Sequence, residues 1–356
     1  MKGVLIAITV FLIVILVAVF GFKLYDYIGA SEFYNNSEVA FKTPGVNNSN
    51  FVPQGMTYDE ESQTFFFTGY MGKNIITGKV GKSVASRVYF MKGDKVDYVE
   101  LYEADGVTPY TDHTGGIEVF DKYVYVTGED SHGLDVFLLS DVLAGNGGKA
   151  VMLGTVKTYN SPAHCYAFTN KNGDRYILAG SYHKDETVYE TPEHERIYGN
   201  TSIMTVFKLD ADSEFGVNPS PVAIISAREM IQGVCMTPEG QLVVSSSWGL
   251  ATSNLYFYDL ADIVCVEENY NYKGTIAYGD LEDVNAEKTY EEFDFTLPCY
   301  VLDSDDPERV VVAPPMSEEL VCLDGKIIVF CESACNKYMF GKLTTGFKTY
   351  GFEYNK

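Results

Sequence analysis

Positive charge is scarce in this chain: 26 Lys and Arg stand against 49 Asp and Glu among 356 residues, a formal net charge of −23. Such a surface repels nucleic acid and anionic lipid headgroups, so DNA, RNA and polybasic membrane binding are discounted and a solvated acidic exterior is the plain reading. Catalytic signatures are missing too. No GxSxG elbow, Walker loop, dinucleotide fingerprint or HExxH occurs, which removes the commonest serine-hydrolase, nucleotide-binding and zinc-protease readings. The seven cysteines contain no CxxC pair and no zinc-finger spacing. Cys331 and Cys335, four apart, leave a local disulfide open, while most of the others read as small buried apolar residues. Tryptophan occurs once, at Trp248. Helix-forming runs are short after the first 25 positions, whereas Tyr and Phe number 27 and 22, a composition that suits half-buried strands.

One long apolar run is present. Residues Val4 to Phe22 are interrupted only by Thr9 and Gly21, and as a helix they would rise about 28 Å, close to the hydrocarbon thickness of a bilayer. A cleaved signal peptide has a shorter apolar core, and Ile28-Gly29-Ala30 is a weak cleavage candidate. The segment is therefore expected to be a single-pass signal anchor over residues 1–30, with the N-terminus inside and the rest extracytoplasmic. Residues 31–50, rich in Asn and Ser, are expected to form a polar stalk, and residues 51–356 the folded domain.

That domain is repetitive. Five segments share one layout, an apolar strand opening on small or polar residues, a tight turn, then a second apolar strand ending in small residues. They begin at Pro53, His113, Ala163, Ile231 and Met316 and carry, at levels set equal, Gln54-Gly55-Met56, Gly115-Gly116-Ile117, His164-Cys165-Tyr166, Gln232-Gly233-Val234 and Glu318-Glu319-Leu320. Two further strands follow each pair, among them 150–159 after the second pair and 336–343 after the fifth. Five groups of four strands predict an all-β propeller of five blades, or six if the acidic, Tyr-rich insertion from Glu267 to Thr296 conceals another. The layout resembles the extracellular propellers of the NHL, strictosidine-synthase-like and lactonase-like groups over residues 51–356, a resemblance that implies a fold and no activity.

The first strand of each propeller blade borders the channel, and its start faces one mouth. Setting Gln54, Gly115, His164, Gln232 and Glu318 level, with His113 two residues before Gly115, gives a ring of two His, two Gln and one carboxylate. A second ring holds Tyr70, Glu129, Ser247 or Trp248, and Glu332, with His132 and His183 close behind. His113, His164 and Glu318 suit a divalent cation (Ca, Mg or Mn). The residue types resemble those around the channel metal of seven-bladed propeller lyases. That resemblance implies His113, His164 and His183 as catalytic groups, with Gln54 and Gln232 orienting the substrate; from their places in the second ring and at the rim, Glu332 and Trp248 are expected to contact the ligand as well. The same ring also reads as polar filling for strand ends. The expected function is a monomeric, membrane-anchored module that binds a small molecule, glycan or protein at the channel mouth and no nucleic acid. A metal-dependent lyase or hydrolase is the alternative.

Overall fold

A computed structural model of the chain describes residues 2–46, 50–72, 84–183, 200–278, 289–303, 305–338 and 341–356. Helix α1 (Lys2–Gly29) carries the apolar run and α2 (Ser31–Asn35) follows it after one residue. Strand β1 (Ser37–Lys42) comes next. Blade 1 is built from β2 (Phe51–Asp59), β3 (Thr64–Met71), β4 (Arg87–Lys92) and β5 (Lys95–Tyr102). Blade 2 takes β6 (Ile117–Phe120), β7 (Tyr123–Gly128) and β8 (Gly133–Leu138). A short helix α3 (Leu139–Ala144) then leads to β9 (Gly148–Val151), which lies parallel on β5, before β10 (Gly154–Lys157) completes blade 2. The segment 150–159, expected as one strand, is thus shared between two blades. Blade 3 contains β11 (Pro162–Thr169), β12 (Arg175–Ser181), β13 (Ser202–Leu209) and β14 (Val217–Ala227).

Blade 4 begins with β15 (Ile231–Met236), β16 (Gln241–Ser246) and β17 (Ser253–Asp259). A long hairpin, β18 (Cys265–Tyr278) and β19 (Thr289–Val301), intervenes before β20 (Arg309–Ala313) completes the blade. The hairpin is the acidic insertion, and it is no sixth blade: β19 pairs in parallel with β14 and widens blade 3. Blade 5 has β21 (Ser317–Leu323), β22 (Lys326–Cys331) and β23 (Lys348–Phe352). Its fourth strand is β1, paired antiparallel with β23 from Ser37↔Phe352 to Lys42↔Lys348. The five-bladed propeller read from the repeats is the fold.

Two corrections concern the chain ends. The segment expected as a polar stalk is instead part of the domain, because a three-stranded blade 5 would leave the β23 edge and the core beneath it open. Ala30 and Phe33 are fully buried among Phe257, Val311, Leu320, Val329 and Phe352, with the Phe33 and Phe352 rings stacked 5.5 Å apart. Arg309 seals the seam, donating to Glu32 at 2.6 Å. Residues 336–343, expected as a strand, instead include the turn Gly341–Leu343, so β23 occupies the third place in the blade. Helix α1 itself is exposed along its apolar length and is long and apolar enough to cross a membrane.

The core lies between blades, where alternate apolar residues of facing sheets interdigitate. At the centre the inner strands nearly touch. A Cβ added to Gly55 would come within 2.9 Å of the Gly116 backbone, one on Gly116 within 2.6 Å of Cys165 N, and one on Gly233 within 2.4 Å of Glu319 Cα. Five blades close a narrower ring than seven, so glycine recurs at this level. Buried carboxylates join neighbouring blades. Glu118 accepts from Thr57 Oγ1 at 3.0 Å and from Ala167 N at 3.1 Å, and Glu319 accepts from Val234 N at 2.9 Å. The seven cysteines are free thiols; the Cys331–Cys335 bridge is not formed, and Cys331 Sγ lies 3.8 Å from Ser317 Oγ instead.

Candidate functional site at the channel mouth

Register decides what faces the mouth. Each inner strand has an equivalent ladder pair, Met56 on Phe67, Ile117 on Val126, Cys165 on Ala179, Val234 on Val244 and Leu320 on Val329. One residue earlier stand Gly55, Gly116, His164, Gly233 and Glu319; two earlier stand Gln54, Gly115, Ala163, Gln232 and Glu318. Strand irregularities precede the ladder in β2, β11, β15 and β21, and there a bulge re-aims a side chain. His164 was therefore expected one position out of register. A slip of one residue turns a strand side chain to the opposite side, and Ala163, not His164, lines the mouth.

His164 is fully buried. Burial, opposed by the Ile231 backbone, pushes its pKa down to about 3. His164 fills the space left by Gly180, where a Cβ would lie 2.1 Å from Nε2. At the matching second-strand position the glycine-bearing blades carry Thr68, Thr127 and Ser245. Gly180→Ala is accordingly expected to destabilise the domain by about 1–3 kcal/mol through overpacking. Thermal denaturation should show His164→Ala/Gly180→Ala to be more stable than Gly180→Ala alone.

The mouth opens into a cavity of about 1370 Å³. Its floor is polar. Gln54, 3% exposed, donates from Nε2 to Glu332 Oε2 at 2.9 Å, linking blade 1 to blade 5. Burial pushes the Glu332 carboxyl up to about 7, against the opposing pull of Lys337 and Gln54. Glu318, also buried, lies well above the ordinary carboxylate range, chiefly through desolvation and then through the charges of Glu332 and Glu319. Gln232 and His113 reach the same cavity. His113 is half-buried, its ring 4.7 Å from that of Tyr70, and burial with Lys337 nearby holds it neutral, at about 4.

The third residue after each second-strand ladder position brings one residue per blade to the cavity: Tyr70, Glu129, Tyr182, Ser247 and the floor residue Glu332. Tyr182 donates to Ser247 O at 3.0 Å. Trp248 stands at the rim, 51% exposed, its ring 6.4 Å from Tyr182. His183 also lines the cavity, whereas His132 is buried away from it. One side wall comes from the β18–β19 hairpin, through Tyr270 to Ile276 and Glu292 to Asp294. Tyr272 is tied down by donating to Tyr159 O.

The expected metal trio of His113, His164 and Glu318 does not converge. Among the described residues only Asp259, Asp262 and Glu308 bring three such ligand atoms within 4.8 Å of one another, and they lie on the outside of blade 4. Of the residues expected at the mouth, Gln54, Gln232, Glu318, Glu332, Trp248, His113 and His183 line the cavity. Sequence reasoning missed Lys337 and Tyr338, which lie in a stretch read as a strand. Lys337 bonds the Tyr70 hydroxyl and sits 4.8 Å from the centroids of Tyr70 and Tyr338. Tyr182 was legible, since it holds the same repeat position as Tyr70.

No protein family matches the chain, and no curated protein does. Among solved structures, a β-xylosidase/α-arabinofuranosidase from a compost microbial metagenome is 12% identical, with 88% of this chain and 93% of that one covered at a TM-score of 0.45. A GH43_1 enzyme from Xanthomonas citri complexed with xylotriose is 10% identical over 91% and 92% of the two chains, TM-score 0.45. An aldose sugar dehydrogenase from Streptomyces coelicolor is 12% identical over 83% and 78%, TM-score 0.38. These are propellers, and the likeness concerns shape alone; the blade count of this chain rests on its own strand pairing.

Proposed function

We propose that this chain is a membrane-anchored propeller, displayed outside the cytoplasm, whose channel mouth binds a small polyhydroxylated ligand such as a short neutral oligosaccharide. The observation that carries this reading is convergence. Gln54, Gln232, Glu318 and Glu332 come from three blades to one floor, beneath walls that include Tyr70, Tyr182, Tyr270, Trp248 and Phe293. Amide and carboxyl groups supply donors and acceptors for hydroxyls, and aromatic faces stack on the apolar faces of sugar rings. The acidic residues around the opening disfavour a polyanion. Isothermal titration of the full-length protein in detergent against neutral oligosaccharides is the test. Gln54→Ala should weaken the binding found by about tenfold, the cost of a buried hydrogen-bonded group. Equal affinity in the variant would move the ligand elsewhere.

A hydrolytic reading is favoured by one observation, the buried carboxyls Glu318 and Glu332, of which Glu332 is raised to about 7 and Glu318 lies well above the ordinary carboxylate range. Buried carboxyls displaced from their ordinary range in a cavity are the groups that acid–base chemistry uses. If the bound oligosaccharide is cleaved, Glu332→Gln should slow cleavage by roughly 10²–10⁴-fold while leaving binding in place.

A further inference from the structure

The net charge of the chain conceals a local exception. At the propeller end of α1 a cleft of about 490 Å³ is lined by four lysines, Lys23, Lys42, Lys342 and Lys348, with no carboxylate among its lining residues. They come from three parts of the sequence: the helix just after its apolar run, the closing strand β1, and the turn and strand around Gly341 to Lys348. Lys42 and Lys348 face each other directly across the β1–β23 ladder. Like charges opposed in this way destabilise a strand pair. Among the described residues, Lys23, Lys42 and Lys348 make no ion pair that would relieve the repulsion, and all three are exposed. Lys342 is held by donating to Asn336 Oδ1 at 2.6 Å.

The position of the cleft suggests what neutralises it. Lys23 directly follows the run Val4–Phe22, so if α1 spans a bilayer this lysine stands at the level of the lipid phosphates. Tyr25 and Tyr27, 67% and 49% exposed, continue the helix at that depth. Phe347, at the edge of the cleft, is 41% exposed and presents an apolar ring beside the four ammonium groups. An ammonium cluster bordered by exposed aromatics at the end of a spanning helix matches the headgroup boundary of a membrane.

We infer that the cleft of Lys23, Lys42, Lys342 and Lys348 binds the phosphate of an anionic lipid, seating the outer edge of blade 5 on the membrane surface. The inference rests on the reading of α1 as a membrane span. Bound in this way, the lipid fixes the propeller's orientation at a second point beside the helix.

The test reconstitutes the full-length chain in nanodiscs of phosphatidylcholine with and without phosphatidylglycerol, and native mass spectrometry counts the phospholipids retained on the released protein. Phosphatidylglycerol should be retained preferentially, with roughly fivefold of the preference lost for each lysine replaced. Lys42→Gln/Lys342→Gln/Lys348→Gln should abolish most of it and raise the melting temperature slightly, because the repulsion across the ladder is removed. The corresponding triple Arg variant should keep the preference. Equal retention of both lipids, or an unchanged preference in the Gln variant, would overturn the lipid site while leaving the anchor intact. Displacement of the lipid by inorganic phosphate would overturn it too, marking a site for soluble anions. Failure of the chain to enter nanodiscs at all would overturn the anchor and the lipid site together.

Discussion

A chain cut to residues 51–356, the span marked out by the repeats, is expected not to yield a monomeric propeller. Without β1, the β23 edge of blade 5 loses its hydrogen-bonded partner from Ser37 to Lys42, and an unpaired strand edge is a template for aggregation. The cut also removes Phe33, whose fully buried ring stacks on Phe352. Truncating one such aromatic costs about 3–5 kcal/mol. Phe41 goes as well, taking its ring from contact with Phe65 and Phe67 at 5.1 and 5.6 Å. A chain starting at Leu24 keeps Ala30, Phe33 and β1 and should elute as a folded monomer. Size-exclusion chromatography and thermal unfolding of the two truncations decide the matter. A monomeric 51–356 with an unaltered melting temperature would show that the N-terminal segment closes nothing.

The second large effect is one of pH. Glu118 and Glu332 are both raised from 4.5 to about 7 in the folded state, chiefly by desolvation. Below about pH 4.5 these groups are protonated whether the chain is folded or not, and their contribution to stability is fully present. Between 4.5 and 7 the unfolded chain ionises while the folded one holds its proton, so stability is lost as pH rises. At about 1.4 kcal/mol per pH unit the loss is on the order of 3 kcal/mol for each group. The domain should therefore melt at a higher temperature near pH 5 than near pH 8. Glu118→Gln isolates this from general acidic repulsion, because the amide cannot ionise and the slope should flatten. A melting temperature that is flat or rises over this range would contradict the burial assigned to these carboxyls.

The blades were legible because each inner strand opens on the same apolar pattern, and the residues that carry it, Met56, Ile117, Val234 and Leu320, have equivalent partners in the ladder. What escaped the sequence was whatever depended on contacts distant along the chain. Strand β1 reads as polar because, as an outermost strand, it leaves Glu38, Val39 and Lys42 exposed, and its partner lies about 310 positions away. The bulge between Pro162 and His164 has no signature in the sequence, and overlooking it turned a buried packing histidine into an expected ligand. Lys337 acquires its place only when the segment after β22 turns back over the mouth. The expected residues that line the cavity floor, Gln54, Gln232, Glu318 and Glu332, share one origin: each occupies a fixed offset from a ladder position that recurs from blade to blade.

The central claim, that the channel mouth is a ligand site, can be tested on the wild-type protein with its own reporter. Trp248 is the sole tryptophan and stands at the cavity rim against Tyr182, so its emission is read without labelling. Titration with neutral oligosaccharides should give a saturable change in Trp248 emission for at least one of them, absent from the Gln54→Ala/Glu318→Gln variant at the same concentrations. Emission that stays constant while calorimetry still records binding would place the ligand elsewhere and contradict the account.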